Sequence, residues 1–467
     1  MSELPVRWIE TTLGSIGGVK SGVGFPLEAQ GCTDGAYPVY KVGDISKGVL
    51  LAGGELRRSS NYVSEETAAS LRGHVFPVGS ILFAKIGEAL RLNRRAIVCT
   101  PGLADNNVMG FKGEAEVDDR FIFYFLRTQD LASLSRSTTI PSIRKGDVEG
   151  ISIKLPPVSE QKRIAQTLDA LQAQVDTLKT RIDAIPALLK SFRHSTLSAA
   201  VSGRMTGKPK VSTEAASSYQ SPLVFVGSEQ GDEPGNWQWE KLVNIATLES
   251  GHTPRKSVSG YWDGGDVPWI SLQDIRAADG KEIFSTKFMP TMLGIENSSA
   301  RLLPMGTVCF SRDISVGYVT LMGRSMATTQ HFANWICGDT LLPKYLMYAF
   351  MASRNHLLKS GQGSTVKTIY MPALKELRIL LPPLAEQAKI VRRVDQLFAI
   401  ADQLEAKVAT AKQRIDALTQ SLLAKAFRGE LVPQDPNDEP ASTLLERIRA
   451  QRAAVPKPKR GRKAASN

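Results

Sequence analysis

Cysteine is scarce in this chain, and what there is forms no pattern. The four cysteines in 467 residues, Cys32, Cys99, Cys309 and Cys337, are scattered with no Cys-x-x-Cys pair. Free, mostly buried thiols are expected, not a disulfide framework or a metal site. Histidine is as sparse: His74, His194, His252, His331 and His356 lie far apart, and none has ligand spacing to another. No metal centre is expected. No run of 18 or more apolar residues occurs, so no membrane span is read, and with no signal peptide at MSELPVRWIE the expected location is cytoplasmic. Both Gly-Lys pairs, Gly207-Lys208 and Gly280-Lys281, lack the following Ser or Thr of a phosphate loop. A glycine-rich dinucleotide turn, an Asn-Pro-Pro-aromatic tetrapeptide and a Gly-x-Ser-x-Gly elbow are also missing. These absences point away from an enzyme.

Against that background the charge stands out. The formal net charge is +12. Its excess sits in residues 155–210, with 9 basic against 4 acidic residues, and in residues 381–467, with 16 against 10. A surplus of this kind fits nucleic acid or a solvated helix face.

The most informative feature is an internal repeat. Leu155 to Gly203 lies over Leu381 to Gly429 without a gap, at an offset of 226 residues. In the first copy Ile164, Leu168, Leu171, Val175 and Leu178 open a 4-3-4-3 apolar series. In the second, Ile390, Val394, Leu397, Ala401 and Leu404 step identically. A seam sustained over about four heptads predicts a coiled coil. Each copy follows Pro-Pro, which marks a new element, and ends at a glycine suited to a helix C-terminus. Pro186 falls inside the first copy, where a kink or break is expected.

The repeat extends beyond the helices. PVRWIETTLGSIGGVKSG resembles PGNWQWEKLVNIATLESG; the run ending in Asp44 answers the one ending in Asp274; Pro77 to Lys85 answers Pro304 to Arg312. Short β-branched and aromatic runs at 37–45, 80–86, 95–100, 267–275, 306–311 and 316–322 predict strands, and helices are expected near 119–134 and 342–359. The fold class is therefore α+β. The expected organisation is a globular module at 1–154, a helix at 155–203, a flexible linker at 204–236, a second module at 237–380, a helix at 381–429, and an extension at 430–467 with a short helix and a basic tail.

Tandem modules closed by LPPVSEQ and LPPLAEQ, with AKAFRGEL at the end and GHTP…GYWDGGDVPWISLQDI opening the second module, resemble the specificity subunit of type I restriction-modification systems. The closing region resembles the K-12 enteric subgroup. The resemblance spans roughly residues 5 to 450. It implies two target recognition domains, each reading one half of a split, asymmetric DNA site, separated by two long helices packed as an antiparallel coiled coil. It implies as partners double-stranded DNA, two modification subunits and two restriction subunits. S-adenosylmethionine, ATP and Mg belong to those partners, and this chain holds no cofactor and no catalytic residue. Geometry agrees: a helix of about 44 residues spans roughly 65 Å, and only an antiparallel pair puts two modules at opposite ends. A self-contained DNA-modifying enzyme and a coiled-coil interaction scaffold are the rival readings.

Candidate DNA contacts fall in three places. Lys85 leads to Arg91, Asn93, Arg94 and Arg95, read as a hairpin between two strand-like runs. Arg312, Arg324 and Gln330 are the second module's counterpart. Before each long helix, Thr138, Thr139, Arg144 and Lys145 answer Ser364, Thr365 and Lys367, where small hydroxyls beside cations suit phosphate contacts. Trp262 and Trp269 are read as core anchors.

Overall fold

A computed structural model describes residues 4–135, 139–201, 203–206, 224–226, 236–360 and 367–454. The chain divides into two compact units, one of Met1–Asp183 with Thr410–Asn467, the other of Ala184–Ala409.

In the first unit a five-stranded sheet runs in the order Gly17–Ser21, Val108–Gly113, Ile81–Ala84, Ala96–Val98, Glu55–Leu56. The first three pairings are antiparallel and the last is parallel. Helix Asp119–Thr128 supplies six consecutive buried residues, Phe121 to Leu126, to the main core. Its N-terminus is capped by Asp118, which accepts from the Phe121 amide at 2.8 Å.

The second unit repeats this plan strand for strand. Its sheet order is Ala246–Ser250, Phe332–Cys337, Val308–Ser311, Val319–Met322, Glu282–Ile283, with the same three antiparallel pairs and one parallel pair. Helix Pro343–Ala352 buries Tyr345 to Phe350. Each unit also has a small parallel pairing, Val39 with Leu103 and Trp269 with Ala327.

The runs at 37–45 and 267–275 are strand only in part. Strand Tyr37–Tyr40 gives way to helix Val42–Leu51, and Trp269–Ile270 to Leu272–Ala277. Asp44 and Asp274 explain the switch. Each carboxylate accepts from a main-chain amide three residues earlier, Lys41 and Ser271, at 2.9 Å. An acidic residue at that position caps a helix start and overrides strand propensity.

The long helices run Val158–Val201 and Leu384–Ala426. Leu155 and Leu381 end the preceding strands, Ser152–Leu155 and Leu377–Leu381, and the Pro-Pro pairs separate strand from helix. Gly203 and Gly429 have φ of 71° and 76°, the left-handed conformation that closes a helix at small cost only with glycine. The first helix continues through Pro186 without a break.

Within each unit the two helices pair antiparallel. In the first, Lys179 meets Asp416 at 2.7 Å and Asp183 meets Lys412 at 2.5 Å, so the numbering rises on one helix as it falls on the other. Ile164, Ala165 and Leu168 share a core with Leu423 and Ala426. In the second, Leu197 and Ala200 share a core with Ile390 and Val394, and Arg193 bridges Asp402 and Glu405. The expected seam needs one correction. Leu168, Val175, Leu189, Val394, Ala401 and Ile415 stay buried, but Leu178 is 46% and Leu404 42% exposed. A straight helix drifts by about 20° per heptad against a seven-residue repeat, so the row that starts buried at Ile164 and Ile390 has turned outward by Leu178 and Leu404.

The segment expected to be linker is not wholly without structure. Val224–Val226 pairs antiparallel with Leu377–Leu381, which also pairs with Gln238–Lys241. Residues 207–223 and 227–235 lie outside the described residues. The short helix of the extension is Ala441–Ala454, and its Leu444, Leu445 and Ile448 complete the core of the first unit.

Candidate nucleic-acid interface

In the first unit the buried strand Ile81–Ala84 ends at Lys85, whose main chain is held from both sides. The Lys85 amide donates to the Asn107 carbonyl at 2.9 Å, and its carbonyl accepts from the Ile143 amide at 3.0 Å. Ile86 bridges Ser142, and the Gly87 amide donates to the Pro141 carbonyl at 2.8 Å. Residues about 58 positions apart in sequence are thereby brought to one end of the sheet, the edge at which its central strand finishes. Lys85 is half-buried there, while Thr139, Arg144 and Lys145 are exposed. Lys145 contacts Glu149 at 3.4 Å. Thr138 lies outside the described residues.

The second unit builds the same edge from different side chains. The Arg312 amide donates to the His331 carbonyl at 3.0 Å, and the Arg312 carbonyl accepts from the Ile369 amide at 2.8 Å. Asp313 bridges Thr368. Arg312 Nη2 donates to the Gln330 carbonyl at 3.0 Å, Thr253 Oγ1 donates to Gln330 Oε1 at 2.6 Å, and His331 Nδ1 lies 2.6 Å from Asp313 Oδ1. Gln330 and Lys367 are exposed; Ser364 and Thr365 lie outside the described residues.

Three expectations are corrected. Residues 91–95 form no hairpin: helix Glu88–Arg91 is followed by Asn93 at φ 52°. The Asn93 amide is occupied, donating to the Gln129 carbonyl at 3.0 Å and accepting from the Leu131 amide at 3.2 Å. Arg95 is 2% exposed and lies over the Phe83 ring. Its Nη2 donates to Asn93 Oδ1 at 2.6 Å and to the Gln129 carbonyl at 3.1 Å. Burial depresses its pKa, and the neighbouring Asp130 carboxylate offsets that only in part. Arg95 braces the 129–131 turn and cannot reach DNA. Arg91 is exposed and 3.2 Å from Glu88; Arg94 is half-buried. Arg324 is exposed but follows Met322, whereas Arg312 follows Ser311. The register Val308↔Leu321 and Phe310↔Val319 puts those two strand ends at opposite edges of the sheet.

Trp269 is buried, its Nε1 donating to the His252 carbonyl at 3.1 Å, and Trp262 stacks edge-on against it at 5.4 Å. Both are core anchors. All four cysteines are free thiols, but the expectation that most are buried is corrected: Cys309 is buried, Cys99 and Cys337 are half-buried and Cys32 is exposed.

Asn107, Thr253, Asp313 and His331 belong to the edge but escape sequence reasoning based on cation clusters. A signal did exist. Continuing the repeat through DNNVMGF and TQHFANW lays Asn107 over His331, beside the pair Lys85 and Arg312.

Comparison with known proteins adds a family. Residues 5–187 and 234–411 match the model of the type I restriction modification DNA specificity domain. The chain is 29% identical over 483 residues to the type I restriction enzyme EcoDI specificity subunit of Escherichia coli, covering 99% of each. To the EcoKI specificity subunit of strain K12 it is 32% identical over 376 residues, 73% of this chain and 74% of that one. Among solved structures, the HsdS subunit from Thermoanaerobacter tengcongensis matches with TM-score 0.59 at 21% identity, over 92% of this chain and 98% of that one. A chain from a study of complex assembly and conformational transition of the type I R-M system matches with TM-score 0.67 at 19% identity, over 92% of this chain and all of that one.

Proposed function

The chain belongs to the type I restriction-modification DNA specificity family and is a specificity subunit with two target recognition domains; on that premise we propose that it reads a split, asymmetric DNA site, one half per module. The observation that carries this is the repeated edge at Lys85 and Arg312. One backbone frame presents two different sets of polar side chains, which is what a duplicated reader of two unlike half-sites requires.

The chain performs no chemistry itself in this reading. Modification subunits, two in number, dock along the paired helices and bring S-adenosylmethionine to adenine. Two restriction subunits bring ATP-driven, Mg-dependent translocation and cleavage. The helices set the distance between half-sites, and the complex works in the cytoplasm. Among the described residues no helix is long and apolar enough to cross a membrane.

Methylation mapping in a host carrying the chain with its modification subunit tests the proposal. A bipartite motif with a fixed gap is expected, and exchange of residues 1–154 should alter one half only. A continuous motif, or change in both halves, would overturn it.

A further inference from the structure

Ile314 has φ of 56° and is 51% exposed. A β-branched residue in the left-handed region is a strained outlier, and exposure means that no core packing explains it. The Ser315 amide donates to the Asp313 carbonyl across Ile314, and the internal repeat offers a counterpart for comparison. Gly87, at φ 79°, stands two residues after Lys85 as Ile314 stands two after Arg312. The first module fills the position with glycine at φ 79° and ψ −172°, a positive-φ backbone that glycine alone adopts without strain. An isoleucine at the same place serves something other than the backbone.

The turn is held from several sides. Ser315 Oγ accepts from Arg276 Nε at 2.8 Å and Nη2 at 2.5 Å. The Gly317 amide donates to the Ser311 carbonyl at 3.0 Å, and the Gly317 carbonyl accepts from Arg354 Nε at 2.9 Å. Asp313, next in the chain, is fixed by the Thr368 bridge and by His331. Strain persists where surrounding structure over-determines it, and such places are characteristically functional. The exposed side chain is therefore presented in one fixed direction, on an edge that also carries Arg312, Gln330, His331 and Lys367.

We propose that Ile314 is an apolar base reader of the second module, seated against a thymine methyl group in the major groove. The chemistry selects this partner. Hydrogen-bonding side chains on the same edge suit donors and acceptors of base edges, and the thymine methyl is the apolar feature that a base pair presents in that groove. A lone apolar side chain among polar ones is too small a patch for a protein partner. The inference rests on the reading of the chain as a DNA specificity protein.

The test uses the assembled complex of the chain with its modification subunit and duplexes carrying the mapped site. Each thymine of the second half-site is replaced in turn by deoxyuridine, which removes the methyl group alone. At one position the wild type should lose about 3- to 10-fold in affinity, and Ile314→Gly should lose nothing further there. Ile314→Gly should melt no lower than wild type, since glycine suits the turn, and Ile314→Val should restore discrimination. Ile314→Asn, which keeps a residue tolerant of positive φ, should behave as Ile314→Gly. Recognition of the first half-site should be unchanged in all three. Wild-type affinity indifferent to every deoxyuridine, or Ile314→Gly and Ile314→Asn as discriminating as wild type, would overturn the inference while leaving two-module reading intact. A wild-type complex that recognises no split site would overturn that reading and the inference with it.

Discussion

Gln161 and Gln387 make the same hydrogen bonds, one in each unit. Gln161 Nε2 donates to the Pro156 carbonyl at 2.9 Å, and its Oε1 accepts from the Asp118 amide at 3.0 Å. Gln387 Nε2 donates to the Pro382 carbonyl at 2.9 Å, and its Oε1 accepts from the Leu342 amide at 2.8 Å. Asp118 and Leu342 are the N-caps of helices Asp119–Thr128 and Pro343–Ala352. The glutamine of each LPPxxEQ motif thus fastens the start of a module helix to the start of a long helix. About two turns further along each long helix, Asp169 takes Arg120 and Tyr124, and Asp395 takes Lys344 and Tyr348. The motif is a joint, and its residue types follow from the need for a donor and an acceptor on one buried side chain.

Both glutamines are fully buried. Gln161→Leu or Gln387→Leu leaves a carbonyl and an amide without a partner, at about 1–3 kcal/mol for each orphaned group. Denaturant unfolding should show a loss of about 2–6 kcal/mol for the two groups together, whereas Gln161→Glu should cost less at low pH than at neutral pH. Wild-type stability in both leucine variants would show that the joint is not held by these bonds.

Glu160 gives a prediction with a pH signature. Its carboxylate is buried, accepts from Trp8 Nε1 at 3.0 Å, and has its pKa raised, burial being the main cause. A folded-state value above the unfolded one means that folding favours the protonated form. Stability from this group is complete below the ordinary value of 4.5 and is lost as pH rises through the raised one. Glu160→Gln keeps an acceptor for Trp8 without the charge. Its melting temperature should exceed wild type at pH 7, and the difference should vanish as pH falls below 4.5. A lower melting temperature at pH 7 would contradict this.

Asp438 ties the extension to the first unit. It is buried, its carboxylate takes Arg163 Nη2 at 2.5 Å, and its carbonyl takes Arg7. Arg447 adds Glu116 and Glu439, and Arg452 adds Glu114. Arg163 holds the Asp438 pKa below its ordinary 3.8. The contribution is present above 3.8 and lost as pH falls through the lowered value. Asp438→Asn should cost about 1–3 kcal/mol. Amide exchange in 441–454 should accelerate before the sheet of the first unit does; unchanged protection there would show that the aromatic and aliphatic packing alone holds the helix.

Much of this was legible in the sequence because the chain states its plan twice. The repeat pointed to both long helices, Val158–Val201 and Leu384–Ala426, and Pro-Pro and glycine marked their ends. What was illegible depends on packing. Nothing in the cluster Arg91, Asn93, Arg94, Arg95 says that the fourth residue faces Phe83 and the second caps a neighbouring turn. Leu178 and Leu404 satisfy the heptad pattern, yet their exposure follows from the drift of a straight helix against it, which a pattern does not encode. Lys85 and Ile143 meet only because a strand end and a pre-helix turn reach one edge. Val224–Val226 is too short a run to separate from linker until Leu377–Leu381 offers it a partner.

The ion-pair register supplies a ruler. Lys179 faces Asp416 and Asp183 faces Lys412, so Thr180 and Arg414 stand near one level of the antiparallel pair. One heptad inserted after each preserves the apolar stripe and lengthens both helices by about 10 Å. A turn of about 10 base pairs rises about 34 Å, so the half-sites should separate by roughly 3 base pairs if the helices set the gap. Inserting at one site alone leaves one helix short, and the pair then bulges or shifts register, so the change in gap should be smaller or activity lost. The bases read in each half should stay the same, because neither insertion touches the edges at Lys85 or Arg312. Methylation mapping of the double-insertion variant checks this. An active variant that still modifies only the original spacing would show that the distance is set elsewhere.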